Sequence, residues 1–298
     1  MYLAHFGLRE LPFNITPDTS FFFPSVRHQE ALNTLLIATH SGEGFIKITG
    51  EVGTGKTLLC RKFMDSLGPE FRIAYIPNPL LEPQALLLAL ADELGVQKTK
   101  LKGNRHSVLK AVNEVLLAFA QDGKRVVVCI DEAQAMPLET LEALRLMTNL
   151  ETEKRKLLQV VIFGQPELDD KLAHESIRQL KQRITFDYVL GMLSRDDLHY
   201  YVNHRLIVAG YQGGRLFSSM ALLAMHRKSG GVPRLVNILA HKALLSTYGK
   251  GRKAVTWRDV LSAADDTTAT RRSGRRLAWL GAALLVVVSA AVAWVVTQ

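Results

Sequence analysis

The run Phe45-Ile-Lys-Ile-Thr-Gly-Glu-Val-Gly-Thr-Gly-Lys-Thr57 constrains this chain more than any other segment. A short β-branched strand leads into G-x-x-x-x-G-K-T, and an apolar helical pattern (Leu58, Leu59, Phe63, Leu67) follows. Glycines let such a backbone curl so that successive N–H groups point inward, and the helix start adds partial positive charge. The expected phosphate cradle is Gly50, Glu51, Val52, Gly53, Thr54, Gly55, Lys56, Thr57 and Leu58. Lys56 is placed to reach the β- and γ-phosphates of ATP, and the Thr57 hydroxyl to ligate Mg²⁺. A glycine-rich turn that merely precedes Lys-Thr is the bland alternative. The strand before it and the helix after it argue against that.

A phosphate loop of this kind needs an acidic partner on a neighbouring buried strand. Val126-Val-Val-Cys-Ile130 is apolar and mostly β-branched, which reads as a strand covered on both faces of a parallel sheet. Asp131 and Glu132 follow at its C-terminal end, where open α/β sheets place their ligands. Asp131 is assigned to Mg²⁺ and Glu132 to general base, because consecutive side chains point in different directions. Simple capping of the next helix is the competing reading, and the Gly50–Thr57 motif weighs against it.

Composition adds bounds. The chain has 298 residues, 48% hydrophobic and 22% charged, which suits a sizeable core and one or two globular domains. Part of the +9 formal charge comes from Arg271, Arg272, Arg275 and Arg276, so charge alone is weak evidence for nucleic acid. Cys60 and Cys129 lack metal-binding spacing and read as small apolar residues of a reduced cytosol. The N-terminus has no basic or apolar leader.

The stretch Leu277 to Val296 holds no charge, and Ser289 is its only polar side chain. At ~1.5 Å per residue its helix matches the roughly 30 Å hydrocarbon core. Trp279 and Trp294 lie near its ends, and the four arginines precede it. The expectation is a single-pass inner-membrane protein with its bulk in the cytoplasm, in contact with anionic lipid. A buried core helix would normally carry a polar stripe, and this segment has none.

Strands are predicted at 44–49, 71–76, 125–130, 157–163 and 184–189, alternating with helices at 57–66, 83–94, 107–120, 138–149 and 166–182. That alternation predicts an α/β parallel sheet. After Leu193 only helices are expected, beginning at Ser194-Arg-Asp-Asp197. The predicted organisation is an entry segment over 1–40 packing on the core, a P-loop core over 41–191 and a helical lid over 192–265. A basic linker over 266–276 and a transmembrane helix over 277–296 complete it.

Several segments together resemble AAA+ ATPases of the ExeA/GspA type. They are Phe6–Phe13, His28–Leu32, Gly50–Thr57, Ile130-Asp-Glu-Ala-Gln134, Phe163-Gly-Gln-Pro-Glu-Leu168, Gln179–Ile184 and Gly231-Val-Pro-Arg-Leu-Val-Asn237. The resemblance implies ATP hydrolysis with Mg²⁺ between the core and the lid. It implies a homo-oligomer working with other pilus or secretion assembly proteins of the inner membrane; nucleic acid is not an expected partner. It implies that Gln165 occupies the sensor-1 position, Arg234 the sensor-2 position, and Arg183 or Arg178 the arginine finger, with Arg183 favoured. If the stretch around these arginines is helical, Ala173, Ile177, Leu180 and Ile184 form its buried stripe and the two arginines lie on different flanks. Secretion members of this type carry a periplasmic wall-binding domain after their span. A chain stopping two residues past it favours the shorter member serving a mannose-sensitive-haemagglutinin-type pilus. A DNA-acting transposition helper and a nucleotide-gated scaffold that does not turn over ATP are the rival readings.

Overall fold

The computed structural model describes residues 2–97, 105–148 and 156–270. It divides into two compact units, Pro17–Gly191 and the residues up to Thr16 together with those from Met192. Helix α1 (Tyr2–Phe6) opens the chain in the second of these.

The first unit runs α2 (Val26–His40), β1 (Phe45–Thr49), α3 (Lys56–Ser66), β2 (Phe71–Ile76), α4 (Pro83–Glu93), α5 (Arg105–Gln121) and β3 (Arg125–Ile130). It continues through α6 (Leu138–Met147), β4 (Leu158–Gly164), α7 (Glu167–Leu172), α8 (Arg178–Lys181) and β5 (Phe186–Val189). The strands form one parallel sheet in the order β2-β3-β4-β1-β5. β1 and β4 are buried at every residue, as expected for strands covered on both faces. Successive side chains serve opposite cores. Val128, Ile130, Val160 and Ile162 meet Leu86, Leu116 and Leu141 of α4, α5 and α6. Val127, Cys129, Val161 and Phe163 meet Leu35 of α2 and Leu59 and Phe63 of α3. Each of these large apolar side chains contributes about 1.5–3 kcal/mol by leaving water.

Lys47 departs from this apolar pattern in the middle of β1. Its ammonium pairs with Asp169 of α7 and, at 2.8 Å, with Asp187 of β5. Burial alone would lower its pKa; the two carboxylates outweigh burial and raise it.

Two sequence expectations change here. The continuous helix over 166–182 is α7, a single 3₁₀ turn (Glu175–Ile177) and α8. The break falls at His174, whose imidazole accepts from the Ser176 N–H at 3.4 Å and caps the new turn. Ala173 is exposed and Ile184 half-buried, while Leu168, Leu172, Ile177 and Leu180 are buried. The 1–40 entry segment is split between the units. Arg205 Nε donates to Pro12 O at 2.5 Å and Nη2 to Asn14 O at 3.1 Å, and Phe13 packs edge-on against Phe217. These bonds hold the first residues within the helical unit.

That unit contains α9 (Arg195–Val208), α10 (Ser219–Ser229), α11 (Pro233–Gly249) and α12 (Trp257–Asp265). Ser194/Asp197 and Thr256/Asp259 form capping boxes at the starts of α9 and α12. Among the described residues no helix is long and apolar enough to cross a membrane. The expected span over 277–296, and the arginines before it, lie outside the described residues.

Asp259 is the ionic anchor of the helical unit. Its side chain is fully buried, yet it bonds Lys250 at 2.9 Å and Arg252 at 2.5 Å. Burial pushes its pKa up, but hydrogen bonds from Lys250, Thr256 and Arg252 win, holding it well below the usual carboxylate range. A carboxyl depressed in the folded state stabilises above its unfolded value of about 3.9, and that contribution is lost as pH falls below it. Asp259→Ala is therefore expected to destabilise the unit by about 2–4 kcal/mol near neutral pH, and less in acid. Urea titrations at pH 7 and pH 3 check this; an equal loss at both would refute the ionic account.

Candidate functional site

The loop between β1 and α3 is built on two glycines. Gly53 and Gly55 have φ of 83° and 100°, a left-handed backbone that L side chains rarely adopt. Gly50 is constrained by space instead, since a Cβ there would sit 2.8 Å from Leu190 O and 3.0 Å from Thr54 Oγ1. The chain therefore folds tightly enough for Lys56, the first residue of α3, to reach back over it. Lys56 Nζ donates to Gly50 O at 2.7 Å and Glu51 O at 3.0 Å. The lysine is only 5% exposed. Burial lowers its pKa, while the nearby charges of Glu132 and Asp131 act in the opposite sense.

A histidine braces the loop from outside. His28 of α2 lies 3.0 Å from Thr54 O through Nε2 and 2.8 Å from Ser25 Oγ through Nδ1. The Thr54 carbonyl can only accept, so Nε2 carries the proton there. α2 starts at Ser25, whose hydroxyl caps the helix by accepting from the His28 N–H. The residues around His28 belong to a recognisable sequence segment, but nothing in its spacing signals contact with a loop 26 residues away.

β3 delivers the two carboxylates. Asp131 is 2% exposed. Burial raises its pKa; hydrogen bonds with the Thr57 hydroxyl and the Glu132 N–H oppose that rise. The two expected Mg²⁺ ligands, Thr57 and Asp131, thus meet through space. They are hard oxygen donors of the kind Mg²⁺ accepts alongside phosphate and water. Among the described residues no group of three or more His, Cys, Asp and Glu side chains could hold a metal by itself.

Glu132 points elsewhere. Its φ is 52°, the sole positive value at a non-glycine among the described residues. Such backbone costs about 1–3 kcal/mol and persists where surrounding bonds over-determine it. Glu132 Oε2 accepts from Gln165 Nε2 at 3.1 Å and from Gln134 Nε2 at 2.6 Å. α6 has Pro137 at its N-cap, so neither carboxylate caps it. Gln165 follows β4 directly, and its backbone N–H donates to Gln134 Oε1 at 3.0 Å. The sequence assigned a role to Gln165 and none to Gln134, whose signal was its place two residues after Glu132.

The remaining candidates are more dispersed. Arg178 is exposed on α8. Arg183 is half-buried, and its Nη1 donates to Thr148 Oγ1 at 3.2 Å. Arg234, second residue of α11, is exposed in the helical unit. Its helix follows Gly231 (φ 77°), whose carbonyl accepts from the Leu193 N–H at 2.9 Å.

A family model described as an AAA domain matches residues 39–172. General secretion pathway protein A of Aeromonas hydrophila is 42% identical over 294 residues, covering 99% of this chain and 53% of that protein. The chain thus spans about half the length of this curated relative. Among solved structures, Cdc6p of Pyrobaculum aerophilum aligns with TM-score 0.64 at 19% identity, over 84% of this chain and 71% of that one. The Aeropyrum pernix ORC2 protein gives 0.60 at 17%, over 85% and 72%. The Thermotoga maritima RuvB branch migration motor gives 0.52 at 15%, over 82% and 70%. Together with the AAA-domain match, these likenesses show the fold, an α/β parallel sheet of the P-loop AAA+ kind.

Gly55→Ala forces a left-handed backbone on an L residue and brings a Cβ to 3.1 Å from His28 Nε2. Affinity for adenine nucleotide is expected to fall about ten-fold or more, with α3 and the sheet intact. Calorimetric titration beside a circular dichroism spectrum checks it; undiminished affinity would show that the loop does not set binding.

Proposed function

The chain belongs to the ExeA/GspA family of AAA ATPases, and from that premise we propose that it binds and hydrolyses ATP to drive assembly of an inner-membrane secretion or type IV pilus apparatus. The observation that carries this reading is a buried Lys56 folded back on the loop carbonyls near a buried Asp131, with Glu132 held separately by Gln165. ATP would supply the γ-phosphoryl group, and Mg²⁺ would supply positive charge that offsets the phosphates. The residues do the rest by positioning. The loop N–H groups and Lys56 would hold the phosphates, and Thr57 and Asp131 would hold the metal. Glu132 accepts the proton of the attacking water, and Gln165 orients that water or the γ-phosphate.

Arginines complete the account. Arg183 is the proposed finger toward a neighbouring copy, with Arg178 its alternative, and Arg234 is the proposed sensor of the γ-phosphate. A fork-shaped guanidinium suits each task. Arg183 Nη1 bonds Thr148 Oγ1, which leaves its other guanidinium N–H groups for a phosphate. Membrane attachment rests on the sequence alone, namely the uncharged stretch from Leu277 to Val296 after Arg271–Arg276. The family relationship supports secretion components as partners, and self-association follows from the need for a finger supplied in trans.

Lys56→Ala is expected to abolish both ATP binding and turnover. Glu132→Gln is expected to keep binding while lowering kcat by about 10² or more. Steady-state phosphate release, paired with nucleotide titration, reads both. Turnover unchanged in either variant would end the ATPase reading. Mixing Arg183→Ala protein with Lys56→Ala protein should restore part of the activity if the finger acts between copies; the same mixture with Arg178→Ala compares the two arginines.

A further inference from the structure

Gln134 has no task in the reaction described above, yet both ends of its side chain are engaged. Nε2 donates to Glu132 Oε2 at 2.6 Å, and Oε1 accepts from the Gln165 backbone N–H at 3.0 Å. Gln165 closes the ring, its own Nε2 donating to the same Glu132 oxygen at 3.1 Å. The orientation of the Gln134 amide follows from its partners, since a backbone N–H must meet an oxygen and a carboxylate must meet an N–H.

Three features separate this ring from ordinary surface bonding. Both donors fall on Oε2, so Glu132 Oε1 is the oxygen the ring leaves to the reaction. The acceptor end of Gln134 rests on main chain, so the amide swings away only by giving up that bond. Glu132 is also, among the described residues, the non-glycine with positive φ, a strained backbone at the residue the ring engages. A mere staple between β3 and β4 explains little, because those strands already pair from Val126↔Leu158 to Ile130↔Ile162.

We propose that Gln134 is a positioning residue that ties back one oxygen of Glu132, aims the other at the attacking water, and makes the base move as one piece with Gln165. This deepens the ATPase reading and rests on it. Charged groups that must act in a transition state are most effective when their direction is set in advance.

The test uses the full chain and two variants. Gln134→Leu matches the size and removes both bonds. Gln134→Glu keeps an acceptor for the Gln165 N–H and replaces the donor with a second carboxylate. Each is expected to lower kcat by about ten-fold or more, with KM for ATP within about two-fold and the melting temperature little changed. In the Glu132→Gln background the Gln134→Leu change should cause no further loss, because its effect runs through that carboxylate. Wild-type kcat in both variants, a rise in KM alone, or a full additional loss on top of Glu132→Gln would overturn the proposal while the ATPase reading stands. Should Gln134→Leu fail to fold, Gln134→Glu decides by the same measures. A wild-type chain that binds ATP without turnover would remove the ATPase reading and this inference with it.

Discussion

The pairing of β4 with β3 on one side and β1 on the other is the constraint on which everything else depends. Thr49 lies opposite Gly164, and Ile130 opposite Ile162, all running in the same direction. Parallel strands end together, so the first loop residue, the acidic pair and Gln165 emerge along one edge. Gly50 N even bonds to Gly164 O at 3.2 Å, continuing the ladder into the loop. Such pairing is favourable only because both faces are covered, by α4–α6 on one side and α2–α3 on the other. The site is thus an outcome of core packing: apolar burial sets the strand order, and the order sets which polar groups meet.

Two buried lysines show how the same side chain is put to different uses. Lys47 is neutralised by Asp169 and Asp187, and its pKa rises. Lys56 bonds to two loop carbonyls, and its pKa falls because burial dominates. Carbonyl dipoles orient an ammonium without cancelling its charge. Lys56 is therefore oriented by the loop without being paired to a carboxylate, which is what a phosphate cradle requires. The carboxylates divide in a similar way. Asp131 joins Thr57, and Glu132 is turned away to the two glutamines, with the backbone strain at Glu132 as the local cost.

Much of this was legible in the residues. The five strands follow from β-branched apolar runs, and the loop follows from its glycines and the Lys-Thr that ends it. The Asp131–Glu132 pair follows from its place after the apolar run Val126–Ile130. What was not legible has a common character. The break at His174 depends on a single imidazole accepting one backbone N–H, which competes with a helical pattern that reads as continuous. The attachment of residues up to Thr16 to the helical unit depends on Arg205, about 190 residues away. The contact of His28 with the loop, and that of Gln134 with Gln165, depend on how the elements carrying them pack and pair.

By itself, then, the sequence determined the elements and the chemistry carried at their ends, because strand propensity, glycine conformation and helix starts are settled within a few residues. The tertiary structure alone decided which of those ends meet: Thr57 with Asp131, Glu132 with Gln134 and Gln165, Arg183 with Thr148. Those encounters are set by the order of strands in the sheet, and that order is chosen by long-range burial that no short stretch of residues contains.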